Sequence, residues 1–379
     1  MSPLRKLLQE ESEHQWLSFA VFTVFVIIGA VLIDWSSELS GVYSGSTLEV
    51  DGVVHDVAGD AILYENENGM NISVSDTDYR YQLATCISQY EQITYACLGV
   101  ESVIGFIDPG LECEQIWCFQ DIGENNTATD LSVNNGNLLI ILQNGVSNSI
   151  AAMKYNSTED PYKAELEGVM HLQTITTTSD GWLVGGSWQA PTNWLGTNPA
   201  SPPLYELVLA VTWDGISSPD VEIIYIGGEG EIHGIYNTDN GYIATGTAET
   251  VRIVGEEVST LGINSYTSVV DKNKNVWLFG GYGSKTVAII TDDEITIEKL
   301  PEPLTLEPTF AYCNEEGIIS IHGYDSQSSS SSLSIDSNAR SSFFSLRGIL
   351  DLGFISISIL ILSIMGWNVA DALRKGEVF

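Results

Sequence analysis

The chain has 379 residues, with 14 Lys and Arg against 50 Asp and Glu, a formal charge of −36 at pH 7. Charged residues are 17% of it, below the ~25% of typical globular chains, so the imbalance comes from missing bases rather than from added acids. A chain so poor in cations cannot replace the counterions of a phosphate backbone, which excludes nucleic acid as a partner.

The first expected element is a membrane span at residues 16–35. Trp16 to Ile33 is an unbroken uncharged run, closed by Trp16 and Trp35 and preceded by Arg5 and Lys6. About 20 apolar residues cross a bilayer as helix, and the basic flank marks the cytoplasmic side. Residues 1–15 are then cytoplasmic and the bulk of the chain is exported. A cleaved signal peptide is the competing reading, but the run exceeds the usual ~7–15 residues and DWSSELS offers no A-x-A-like site.

Residues 36–325 follow as one extracytoplasmic domain, expected to be all-β. From residue 36 to 348 there are ten bases and 43 acids, a formal charge of −33. Its cysteines fit an oxidising compartment: Cys86 and Cys97 flank a hairpin-like ISQYEQITYA, Cys113 and Cys118 suit a short loop, and Cys313 is left over. A zinc site at the C-x4-C pair lacks a second ligand pair. Asn71, Asn125 and Asn156 open N-x-S/T sequons and are candidate glycan acceptors.

A pattern then recurs: a polar turn with Asp or Asn near Gly, four or five apolar residues, then one or two glycines. It appears as NNGNLLIILQNG, SDGWLVGGS, TDNGYIATGT, NKNVWLFGGYG and EEGIISIHGYD. The closing glycines Gly145, Gly186, Gly246, Gly281 and Gly323 are 41, 60, 35 and 42 residues apart. Propeller blades repeat every ~40–50 residues. The apolar runs are short, β-branched and bounded by turn formers, so they are expected as strands covered on both faces. After Gly281, KTVAIIT and EITIEKL continue as two more strands.

VWLFGGYG followed by EITIEKLPEP resembles a kelch-type blade, in which an apolar run ends in a double glycine and the last strand leads into a proline-bearing crossover. SDGWLVGG and TDNGYIATG are similar to the Asp-Gly-aromatic repeats of secreted microbial propellers. The resemblance covers residues 130–325 and departs from kelch in losing the second glycine at Thr245-Gly246 and His322-Gly323, each of which keeps a single glycine. It implies a propeller, and the repeat count gives six or seven blades. A β-sandwich pair is the alternative.

The 60-residue step contains an insertion, WQAPTNWLGTNPASPP. Loops on a rigid scaffold carry recognition, and aromatic faces beside amides suit sugars and peptides. Trp188, Asn193, Trp194 and Asn198 are therefore candidate ligand-binding residues. The other reading is that these tryptophans pack on their own blade.

The last repeat runs out of chain at the serine tract. An N-terminal segment, STLEVDGVVHDV or DAILYENENG, is expected to supply the missing strands, because closing the ring removes unpaired edges. Residues 326–348 are expected as a flexible tether, since a serine tract cannot build a core. A second span at 349–370 and a cytoplasmic tail at 371–379 complete the chain. A closed ring would bring Trp35 and Gly348 under one face and leave the opposite face free.

No signature of chemistry stands out. None of His14, His55, His171, His233 or His322 opens an HExxH site, and there is no G-x-S-x-G, P-loop or dinucleotide fingerprint. No cofactor and no metal site are assigned. The expected function is a plasma-membrane-anchored binding or scaffolding module for a surface glycan, peptide or partner protein. The alternatives are a carbohydrate-active enzyme with carboxylates at the propeller mouth, or an accessory subunit of a membrane complex.

Overall fold

The glycine-closed apolar runs are the second strands of seven four-stranded antiparallel sheets, arranged as a β-propeller. The computed structural model describes residues 21–29, 31, 38–48, 50–74, 77–80, 83–100, 102–111, 117–145, 147–164, 166–189, 202–292, 294–340 and 346–375. Blades 1 to 6 span residues 53–80, 86–121, 127–163, 169–229, 232–260 and 267–299, each with its strands in chain order. The first strand of each blade meets the first strands of its neighbours, so it is the innermost.

The second strands are largely apolar because both of their faces are covered. In Asn137–Asn144, Leu138, Ile140 and Leu142 point into the seam with blade 2. Leu139 and Ile141 point into the seam with blade 4, and all five are fully buried. Burial contributes about 1.5–3 kcal/mol per such side chain, so this run is a main source of cohesion. The core is therefore a ring of inter-blade seams rather than one central cluster.

Ring closure happens in blade 7, from Leu306–Cys313, Ile318–Asp325 and Ser330–Asp336 plus Val42–Ser44 from the start of the domain. Val42–Ser44 pairs with Leu333–Ile335, and the Asp336 N–H donates to the Gly41 carbonyl at 3.0 Å. The expected N-terminal closure is thus present, but with one three-residue outer strand. VVHDVA and AILYEN instead begin blade 1.

The serine tract corrects the tether expected at 326–348. Ser330–Asp336 is the third strand of blade 7, held on both sides, with Ser334 and Ile335 fully buried. Its S-L-S-I alternation is a strand pattern, and its hydroxyls are paired: Ser334 Oγ donates to the Gly45 carbonyl at 2.7 Å and lies 3.1 Å from Ser320 Oγ. Low complexity is tolerated because the neighbouring strands supply the hydrogen bonds.

Residues 1–40 and 338–379 form a separate unit. It contains helix α1 (21–29) and helix α2 (Leu346–Lys375). The Phe25 and Phe354 rings stack at 5.5 Å, and Gly29 leaves room for Phe354, whose Cε2 would lie 2.0 Å from a Cβ there. Many apolar residues of both helices are exposed, among them Val24, Ile27, Ile355, Ile359 and Leu362. Among the described residues, however, no helix is long and apolar enough to cross a membrane, so the two expected spans are not carried by the structure. Trp35 lies outside the described residues.

The expected disulfide Cys86–Cys97 is present and joins directly opposed residues of blade 2. Cys118 is also disulfide-bonded, Cys113 lies outside the described residues, and Cys313 is free.

Candidate functional site

The strand order gives the propeller two unlike faces. On the turn face lie the hairpins between first and second strands, hence every Asp/Asn-Gly turn of the repeat, together with both ends of the domain at Gly41 and Ser337. On the opposite loop face lie the links between second and third strands and between blades.

Near the loop face the innermost strand bulges in five blades. The pairing slips between Val54 and Asp56, Ala128 and Asp130, Leu172 and Thr174, Ile232 and Gly234, and Pro308 and Phe310. Each slip leaves one residue unpaired: His55, Thr129, Gln173, His233 and Thr309. A bulge bends its strand and re-aims the side chains around it.

In blades 4, 5 and 7 the residue opposite the slip is the closing glycine of the repeat, Gly186, Gly246 or Gly323. A Cβ would sit 2.2 Å from the His171 carbonyl oxygen at Gly186, and 1.9 Å from that of Glu307 at Gly323. Only glycine fits such an approach. The residue before it faces the next blade. Gly185 makes room for Ile232, Thr245 Oγ1 lies 2.7 Å from Ser268 Oγ, and His322 Nε2 lies 3.0 Å from Ser46 Oγ. The glycine lost from the kelch-like pair is therefore the one that can become a seam contact.

The bulges aim acids and imidazoles across the seams. Asp56 accepts the Val57 N–H at 2.8 Å and, across the seam, the Ile87 N–H at 3.1 Å. Burial outweighs these bonds and pushes its pKa up to about 6. Asp130 repeats the arrangement between blades 3 and 4 with the Leu131 and Ile175 amides. Burial, then the charge of Asp56, raises its pKa well above the usual carboxylate range. His233 contacts the Ser265 carbonyl and hydroxyl at 3.1 and 3.2 Å. Burial lowers its pKa to about 4, keeping it neutral at pH 7. His322 is likewise held at about 4 by burial and then by the nearby His55.

Glu206, fully buried at the start of the third strand of blade 4, accepts the Ala248 and Glu249 N–H groups at 2.7 and 2.9 Å through Oε1. Its Oε2 has no hydrogen-bond partner among the described residues, and burial raises its pKa. These acids hold neighbouring blades together through backbone amides. Asp56 and Asp130 lie close enough to feel each other's charge, and no group of three or more metal-ligating side chains occurs among the described residues.

The loop face also carries exposed aromatics. Tyr266 and Tyr282, at 59% and 57% exposure, lie on two links of blade 6. Glu307, exposed at the start of blade 7, accepts the Tyr282 N–H at 2.8 Å through Oε2. The space beside Gly281 is bounded by both Glu307 carboxylate oxygens and by Tyr266 Cε2.

Of the candidate ligand residues, Trp188 ends the second strand of blade 4, half-buried against the core shared with blade 3. Its ring covers Gly168, as the packing alternative expects. Asn193, Trp194 and Asn198 lie outside the described residues. Of the glycan candidates, Asn71 is corrected: it is buried in blade 1 and donates its amide to the Gly69 carbonyl at 2.7 Å. Asn125 and Asn156 are exposed turn residues, both in the left-handed region. The sequence missed Asp56, Asp130, Glu206, Glu307 and the two tyrosines. The only available signal was the closing glycine, which marks the bulge but not what lies beside it.

No family profile matches the chain, so the kelch likeness stays at the level of the quoted motifs. No curated protein matches it by sequence. Among solved structures it is similar to a streptogramin B lyase, at 13% identity and TM-score 0.53, over 77% of this chain and 97% of the other. It also aligns with the WD40 propeller domain of Doa1, at 12% identity and TM-score 0.43 over 80% and 99%. A third match is apo AztD from Citrobacter koseri, at 9% identity and TM-score 0.47 over 77% and 88%. At these identities the first of the three bears on the fold alone, which is that of a propeller.

Proposed function

We propose that this protein is a membrane-tethered, extracytoplasmic binding module whose loop face takes a protein or glycan partner. The observation that carries the reading is the placement of the domain's ends. Gly41 and Ser337 both lie on the turn face, and the Asp336–Gly41 hydrogen bond holds the two strands together there. The loop face, with its exposed tyrosines, carries neither end of the domain. The seam acids support binding over catalysis, because backbone amides already occupy Asp56, Asp130 and one oxygen of Glu206.

Anchoring by residues 16–35 and 349–370, with both termini cytoplasmic, rests on the two uncharged sequence runs and the basic residues outside them. The exposed apolar side chains of α1 and α2 support it. The Cys86–Cys97 disulfide supports an oxidising compartment.

The test is an array of glycans and peptides probed with the full chain in detergent, comparing wild type, a chain lacking 191–200, and Asp214→Ala on the turn face. Binding that survives Asp214→Ala and is lost with the loop deletion or with a loop-face tyrosine change supports the reading. Ligands lost only with the turn-face change would overturn it. Full release of the chain from membranes by alkaline carbonate would overturn the anchoring.

A further inference from the structure

We infer that the Tyr266–Gly281–Tyr282–Glu307 patch recognises a cationic side chain, Arg or Lys, presented by a protein partner. The inference rests on the loop face being the binding face and names what it takes. Glu307 is exposed, and the Tyr282 N–H fixes its carboxylate through Oε2 alone. Its Oε1 has no hydrogen-bond partner, and the carboxylate has no ion-pair partner, among the described residues. Both oxygens lie 3.2–3.4 Å from the position of a Gly281 Cβ, and Tyr266 Cε2 lies 3.5 Å from it. The absent side chain thus leaves a gap between a ring and a carboxylate.

Two tyrosines left more than half exposed beside a fixed negative charge form a combination that attracts cations. The ring quadrupole and the carboxylate act on the same charge, and Arg adds a planar face that stacks and a fork that matches the carboxylate. Tyr and Arg are also the residues that dominate interface energetics. Charge complementarity selects this partner over an anionic or neutral one. The domain's formal charge of −33 draws a basic segment toward it, while the patch confers local specificity. Gly281 keeps the floor open, and a hydrogen-bonded turn from Gly281 to Ser284 holds the Tyr282 backbone in place.

The experiment measures binding of the full chain in detergent to an Arg-Gly peptide and to the same peptide with Gln for Arg, at ~0.15 M salt. The variants are Glu307→Gln, the Tyr266→Ala/Tyr282→Ala pair, and Glu159→Gln, an exposed acid of the turn face, as the long-range charge control. Each loop-face variant is expected to weaken Arg-peptide binding at least tenfold, with Glu159→Gln within twofold of wild type and the Gln peptide not bound. Equal losses in Glu307→Gln and Glu159→Gln would overturn the patch and leave only diffuse attraction. An unchanged affinity in Glu307→Gln would overturn it as well. Neutral glycans bound at the loop face with no Arg preference would sink this inference and leave the binding reading standing. Arg peptides lost only with Asp214→Ala would sink the loop face itself.

Discussion

The two faces of the propeller are built from the same strands but by different means. The repeat's turns on the turn face are built from local hydrogen bonds, alongside bonds to a neighbouring blade such as those that the Asn134 amide donates to the Thr178 and Gly181 carbonyls at 3.0 Å. Asp271 accepts the Asn273 and Asn275 backbone N–H groups at 2.8 and 2.9 Å, the Asn275 side-chain amide, and the Trp277 Nε1–H at 3.0 Å. In blade 7, Asn314 accepts the Ile318 N–H at 2.9 Å in the same way. Each of these turns is specified within about six residues, which is why it recurs and is visible as a motif. The loop face is built across seams. Asp56 reaches Ile87, Glu206 reaches Ala248 and Glu249, and Tyr324 donates to Glu65 at 2.8 Å over a separation of 259 residues. The turn signatures therefore mark where this fold is secured, and of the candidate patch Gly281 and Tyr282 fall inside a repeat copy whereas Tyr266 and Glu307 lie outside every copy.

The sharpest way to break the comparison is at Asp271, which is buried with four donors. Asp271→Ala removes the acceptor of the Trp277 indole, two backbone amides and the Asn275 side-chain amide, and should cost about 3–4 kcal/mol in urea unfolding. A loss under ~1 kcal/mol would mean that the turn face is not locally specified. Next comes Gly323→Ala, where the new methyl meets the Glu307 carbonyl oxygen and the Pro308 Cα. It should cost about 2–3 kcal/mol, whereas Gly262→Ala, with open space around it but a positive φ, should cost about 1. Similar losses at both positions would remove the bulge as the reason for the closing glycine.

The third effect depends on pH. The Asp56 pKa is raised from 3.8 to about 6 in the folded state, so the native protein binds a proton there more tightly than the unfolded chain does. Its protonated form favours folding below pH 4, and that advantage is lost as pH rises through 6. The stability of wild type minus that of Asp56→Asn should therefore fall by about 2 kcal/mol between pH 4 and pH 7. A difference that stays flat or rises would show that Asp56 is ionised at low cost. The smallest stability effect is expected at Glu307→Gln, within about 0.5 kcal/mol, because the group is exposed. A large loss of stability there would make the patch structural.

Much of the scaffold was legible from the chain alone. The spacing of the closing glycines gave a propeller near the right blade number, and KTVAIIT and EITIEKL fall on Thr286–Ile290 and Ile295–Lys299. Closure from the N-terminus was also legible, because the last repeat lacked strands. Ser330–Asp336 was misjudged since its composition is that of a linker. What makes it a strand is pairing with Ile318–Asp325 on one side and with Val42–Ser44 on the other. Asn71 was misjudged for a related reason: a sequon records local chemistry, while its burial depends on the neighbouring strands.

The sequence by itself determined the turns, the doubly covered apolar runs and the charge, since each depends on residues close in the chain or on composition. Tertiary structure alone decided which glycine faces a bulge and which acid crosses a seam. It also decided that Glu307 accepts the Tyr282 N–H and, with Tyr266, borders Gly281 at the join of blades 6 and 7. Those contacts link residues tens to hundreds of positions apart, and nothing in a local pattern constrains them until the ring has closed.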